Sequence, residues 1–229
     1  MNKLSAGCVA EFLGTFALTF FGAGAIILTS ANFDKAGSLV SVALAHAFIL
    51  FVFVAGCAYI SGSQFNPAVS IGLVVAGKQR VGRAGAFIAA QLLGAACAAG
   101  MLQALLSPDI ANAPDVRLGA TIGKFTDAGA WSQVIGLEAI ATFALMFVVL
   151  TSAVDERAHK LGGLTIGLTL GASILAIGPL TGASLNPART FGPAICGNHW
   201  NLFSAYLIGP IGGACVAAIV YRTFWTERA

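Results

Sequence analysis

One ten-residue pattern occurs twice and constrains everything else. It reads SGSQFNPAVS at residues 61–70 and TGASLNPART at 181–190, with the two asparagines, Asn66 and Asn186, 120 positions apart in a chain of 229. Each copy is a polar, glycine-containing break in apolar sequence. Asn followed by Pro is a helix-start signature. The Asn side chain caps the free N–H groups, and Pro takes the first helical position, where its missing N–H costs nothing. Each copy is therefore expected to open a short helix. A duplicated broken helix in a membrane protein points to a permeation or substrate site.

Composition places these helices at membrane depth. Hydrophobic residues make up 58% of the chain and charged residues 9%, whereas soluble domains carry about 25% charge. Six stretches have roughly the 20 residues that a bilayer core requires: 4–29, 38–60, 82–106, 132–153, 160–179 and 200–224. The first is longer than the ~7–15 apolar residues of a signal peptide and reads as a spanning helix. The chain reads as a single domain, 1–229, with repeat one at about 1–106, repeat two at about 132–229 and a polar connection at 107–131. The net charge of +3 gives no footprint for nucleic acid. Five cysteines and three histidines are scattered without metal-ligand spacing, so neither metal nor cofactor is expected.

The halves match beyond the central pattern. AEFLGTFAL at 10–18 corresponds to LEAIATFAL at 137–145, which aligns Glu11 with Glu138. Three spans per half is an odd number, so the repeats must be inverted. The fold class expected is thus all-α, with six transmembrane helices and two re-entrant half-helices entering from opposite faces. Lys and Arg set the orientation. With the N-terminus inside, Lys3, Lys78, Arg80, Arg83, Arg157, Lys160, Arg222 and Arg228 lie on the inner face, against Lys35, Arg117, Lys124 and Arg189 outside. Both termini are expected in the cytoplasm. Small residues such as Gly94 and Gly213 are expected at close helix crossings.

A half-helix from Pro67 to about Gly77 would be ~16 Å long, half of a bilayer core. Two such pieces would meet at their N-termini near the midplane. Both positive dipole ends would then face one point and repel cations. Asn66 and Asn186 would cap their own helices through the side-chain oxygen and turn their NH2 groups to the lumen. Glu11 and Glu138 would accept hydrogen bonds from the N–H groups of the re-entrant loops. Arg189 directly follows the second Asn186-Pro187-Ala188, whereas Val69 follows Asn66-Pro67-Ala68. It is expected to line the outer mouth, opposing cations and donating to neutral solutes.

These motifs resemble the aquaporin (major intrinsic protein) family over essentially the whole chain. SGSQFNPAV, SLNPARTFGPA and AEFLGTF carry the resemblance. YRTFWTER near the end is similar to bacterial and archaeal members of the aquaporin Z and aquaporin M kind. The resemblance implies a homotetramer with one pore per subunit in the cell (inner or plasma) membrane, and a passive water channel rather than an enzyme. It also implies a four-residue selectivity filter, which by correspondence is His46, Ile174, Ala183 and Arg189. Water-selective members carry Phe, His and Cys or Thr at the first three places. The set here is similar to that of plant tonoplast intrinsic proteins. That implies a wider opening that also passes ammonia, urea or hydrogen peroxide. A glycerol facilitator is the alternative, although Thr190 stands where such members have Asp. A membrane-junction or scaffold protein is a more distant alternative.

Overall fold

The computed structural model describes residues 3–30, 39–158 and 161–225. Lys35, Lys160 and Arg228 lie outside the described residues. Among the described residues, six long helices are each apolar enough to cross a membrane. They are α1 (Lys3–Ser30), α2 (Leu39–Ser61), α4 (Val81–Leu105), α7 (Trp131–Val149), α8 (Gly162–Thr181) and α10 (Phe203–Phe224). The last begins at Phe203 because residues 201–202 form a turn in which Leu202 takes a left-handed φ of 51°. The half-helices are α3 (Pro67–Val75) and α9 (Pro187–Gly197).

The first half-helix is two residues shorter than expected. Its chain turns at Gly77, where φ is 72°. The N–H groups of Gly77 and Lys78 close back onto the carbonyls of Val74 and Leu73, a glycine-dependent helix stop. The connection between the halves holds two single-turn helices, α5 (Pro108–Ala111) and α6 (Lys124–Asp127), and a 3₁₀ turn at Arg117–Gly119. At the other end of the bundle, α7 runs into a π-helical turn, Leu150–Val154.

Packing follows the duplication. α1 pairs with α4 as α7 pairs with α10, while α2 and α8 meet across the repeat boundary. The half-helices cross over: α3 packs mainly on α10 of the other repeat, and α9 on α4. The two outer pairings require glycine. A Cβ on Gly94 would sit 2.4 Å from the Phe12 carbonyl oxygen, and one on Gly213 would sit 2.0 Å from that of Ala139. Phe12 and Ala139 are themselves equivalent in the aligned repeats, so one crossing is built twice.

Candidate functional site

The two breaks have nearly the same backbone. Ser63 and Phe65 in the first, and Ala183 and Leu185 in the second, have φ between 45° and 52°. Non-glycine residues rarely adopt this left-handed region, and each costs energy that its surroundings must offset. The buried glutamates supply the offset. Glu11 Oε1 accepts from the Gln64 N–H (2.9 Å) and the Ser61 hydroxyl (2.6 Å), and Oε2 accepts from the Phe65 N–H (2.6 Å). Glu138 Oε1 accepts from the Ser184 N–H (3.0 Å) and the Thr181 hydroxyl (2.7 Å), and Oε2 accepts from the Leu185 N–H (2.8 Å). Gln91 adds a fourth donor to Glu11, at 2.8 Å. It is a polar residue inside an apolar span, a signal present in the sequence. Its role as a partner of Glu11 was not read there.

The asparagines cap as expected and do one thing more. Asn66 Oδ1 accepts from the Ala68 N–H (2.9 Å), and Asn186 Oδ1 accepts from those of Ala188 (3.0 Å) and Arg189 (3.3 Å). Their NH2 groups are not wholly turned to the lumen. Asn66 donates one N–H to the Leu185 carbonyl, and Asn186 donates one to the Phe65 carbonyl, both at 2.8 Å. Each amide has two hydrogens, so one laces the loops together and one remains. Pro67, Ala68, Pro187 and Ala188 begin the half-helices and are buried.

Beyond each loop the same bond is made with different residues. Ser70 donates to Gln64 Oε1 at 2.6 Å, and Gln64 continues to Gln79. Thr190 bonds Ser184 and continues to Thr121, at 3.0 Å. The second chain anchors the segment that holds Arg189. Arg189 is 2% exposed; its Nη1 donates to the Gly119 carbonyl at 2.7 Å, and its Nη2 has no hydrogen-bond partner among the described residues. Gly119 is a contribution of the 107–131 connection. No side-chain pattern could signal it, because the contact uses a carbonyl.

A central cavity runs past these groups. Its apolar lining comes from Leu18, Leu50, Val69, Leu145, Val149, Ile166 and Leu170. Ser63 to Asn66, Ser184 to Asn186, His46 and Arg189 complete the lining. Ile174 does not line this cavity. It lines a second cavity with Gly182, Arg117, Lys124 and Asp127. Ala183 is buried, and its N–H donates to the Thr181 hydroxyl at 3.0 Å. Of the four filter positions inferred from the sequence, His46 and Arg189 line the central cavity, Ile174 lines the second, and Ala183 is buried.

The sequence profile described as Major intrinsic protein matches residues 2–221. The chain belongs to that family. Aquaporin AqpM of Methanothermobacter thermautotrophicus is 40% identical, over 99% of this chain and all of that protein. Aquaporin TIP4-4 of Zea mays is 38% identical, over 94% of this chain and 86% of its own length. The X-ray structure of the aquaglyceroporin from Plasmodium falciparum superposes with a TM-score of 0.83 at 26% identity, covering 97% of both chains. The family identity and the six apolar helices make this a multi-pass membrane protein with the family's channel fold, not an enzyme.

Proposed function

We infer that this protein is a passive water channel whose conduction path is the cavity between Asn66 and Asn186. The observation that carries this reading is the lacing of two half-helix N-termini onto one lumen that also has an apolar lining. Water meets polar groups on only part of that lining, so it binds weakly enough to leave as well as enter. The remaining N–H of each asparagine and Nη2 of Arg189 donate to water oxygen. The two dipole ends and the Arg189 charge oppose cations. His46, Ile174, Ala183 and Arg189 form the filter in this reading, and its aliphatic positions favour leakage of ammonia, urea or hydrogen peroxide. The chain works as a homotetramer in the cell membrane with both termini cytoplasmic.

Stopped-flow light scattering on proteoliposomes tests this in separate water, glycerol, urea and ammonia gradients. Water permeability rises above that of empty vesicles; equality with empty vesicles sinks the proposal. The combined change His46→Phe, Ile174→His and Ala183→Thr lowers ammonia and urea flux more than water flux. Unchanged flux ratios would reject the filter assignment. The glycerol reading rests on the likeness to the aquaglyceroporin structure, and glycerol flux matching that of water would favour it.

A further inference from the structure

We propose that Gly22 on α1 is a fifth determinant of the filter, a positioning residue that sets the bore by giving the His46 ring a place to lie. This rests on the filter assignment proposed above. Both residues are buried. His46 Nδ1 lies 2.8 Å from the Val42 carbonyl oxygen, one helical turn back. That contact puts the proton on Nδ1 and leaves Nε2 as a bare acceptor in the neutral ring. The far edge of the ring abuts α1. A Cβ on Gly22 would stand 2.3 Å from Nε2, 2.6 Å from Cδ2 and 2.8 Å from Cε1. All three distances are well inside van der Waals contact, so any side chain at 22 must displace the ring. A Cβ on Gly22 would therefore push the ring off α1, and the cavity that His46 lines together with Arg189 would change bore.

The aligned repeats point the same way. Gly22 corresponds to Val149 and His46 to Ile166, and both counterparts line the cavity. In repeat two, both places carry a medium side chain. In repeat one, a large ring is matched by no side chain at all. The volume is redistributed between the two helices, and the glycine is the half of that exchange that lets the lumen stay open.

The test compares wild type, Gly22→Ala, His46→Ala and the double variant in proteoliposomes matched for incorporated protein. Gly24→Ala serves as a control on the same helix, since among the described residues its Cβ would meet nothing nearer than Leu102 at 3.6 Å. Gly22→Ala lowers water permeability about tenfold, and urea flux by a larger factor, because a constriction excludes the larger solute first. Gly24→Ala leaves both unchanged. Adding His46→Ala to Gly22→Ala restores both fluxes to those of His46→Ala alone, a rescue that a packing defect unrelated to the His46 ring would not show. If Gly22→Ala fails to incorporate, the double variant decides: incorporation with His46→Ala-like flux supports the proposal, and failure overturns it. Unaltered flux in Gly22→Ala, or no rescue, also overturns it. Wild-type vesicles no more permeable than empty ones would instead reject the channel reading itself.

Discussion

A carboxyl group at membrane depth is normally a liability, and Glu11 and Glu138 show what keeping one requires. Each carboxylate is 0% exposed and accepts hydrogen bonds on both oxygens. Replacing Glu138 with Gln retains the shape but turns one acceptor into a donor facing another donor. Glu138→Gln is expected to destabilise the fold by about 1–3 kcal/mol, the cost of a buried polar group left without a partner. Thermal unfolding in detergent reads this as a lower midpoint, and the strained turn at Ala183 and Leu185 should lose amide-exchange protection first. An unchanged midpoint and unchanged protection would mean that the carboxylate does not hold the loop. The role of these two residues was legible in the sequence because it is repeated, so each copy vouches for the other. Gly119, Gln91 and Gly22 act once each, through space. Gly22 has no side chain whose chemistry could announce the role, and Gly119 acts through a carbonyl that every residue has. The asparagines were legible in part: capping follows from local spacing, but lacing to the opposite loop spans about half the chain.

The elements were legible where hydrophobicity alone decides and less so where a specific hydrogen bond ends them. Six spans follow from apolar length, whereas the stop of α3 at Val75 depends on the left-handed turn at Gly77. The junction after α7 is of the second kind. Its π-helical turn ends at Asp155, whose carboxylate receives the Arg157 N–H (3.0 Å), Nε (2.9 Å) and Nη2 (2.8 Å), and the Tyr221 hydroxyl (3.0 Å). Arg157 Nη2 also reaches the Trp225 carbonyl at 2.8 Å, and Trp225 packs edge-on against Phe147. The α7–α8 connection is thereby clamped to the end of α10. The Arg157 side chain foremost, then its N–H, with the Tyr221 hydroxyl, hold the Asp155 carboxyl well below the usual carboxylate range. A depressed folded pKa contributes stability that is fully present above the unfolded value of ~3.9 and is lost only as pH falls towards the folded one. Amide exchange at residues 150–158, corrected for intrinsic rate, should therefore be flat between pH 7 and pH 5. Asp155→Asn should raise it across that range. Loosening of the wild-type segment at pH 5 would contradict the clamp.

At the scale of the molecule, inversion makes charge a directional label. Three spans per repeat put equivalent loops on opposite faces, so any asymmetry in Lys and Arg must be read against the bilayer and not against the fold. Among the described residues, the structure gathers the basic residues assigned to the inner face at one end. Arg222 on α10 donates to the Val75 carbonyl at 2.8 Å, three positions before Lys78, and Arg157 reaches Trp225 at the same end. Arg117 pairs with Asp127 at 2.9 Å in the connection that holds Arg189, where Lys124 also lies, at the opposite end. The fold brings like with like but contains nothing that says which end faces the cytoplasm; that information is in the charge count alone. Alkaline phosphatase, active only after export, reads it directly in a bacterial host. Fused after Ala229 it should be inactive, and inserted near Asp115 in the central connection it should be active. Replacing Lys78, Arg80 and Arg83 with Gln removes three of the inner charges without touching the half-helix caps. Part of the population should then insert the other way, with phosphatase activity appearing at the C-terminus. Exclusive retention of the original orientation would place the determinant elsewhere than in this basic cluster.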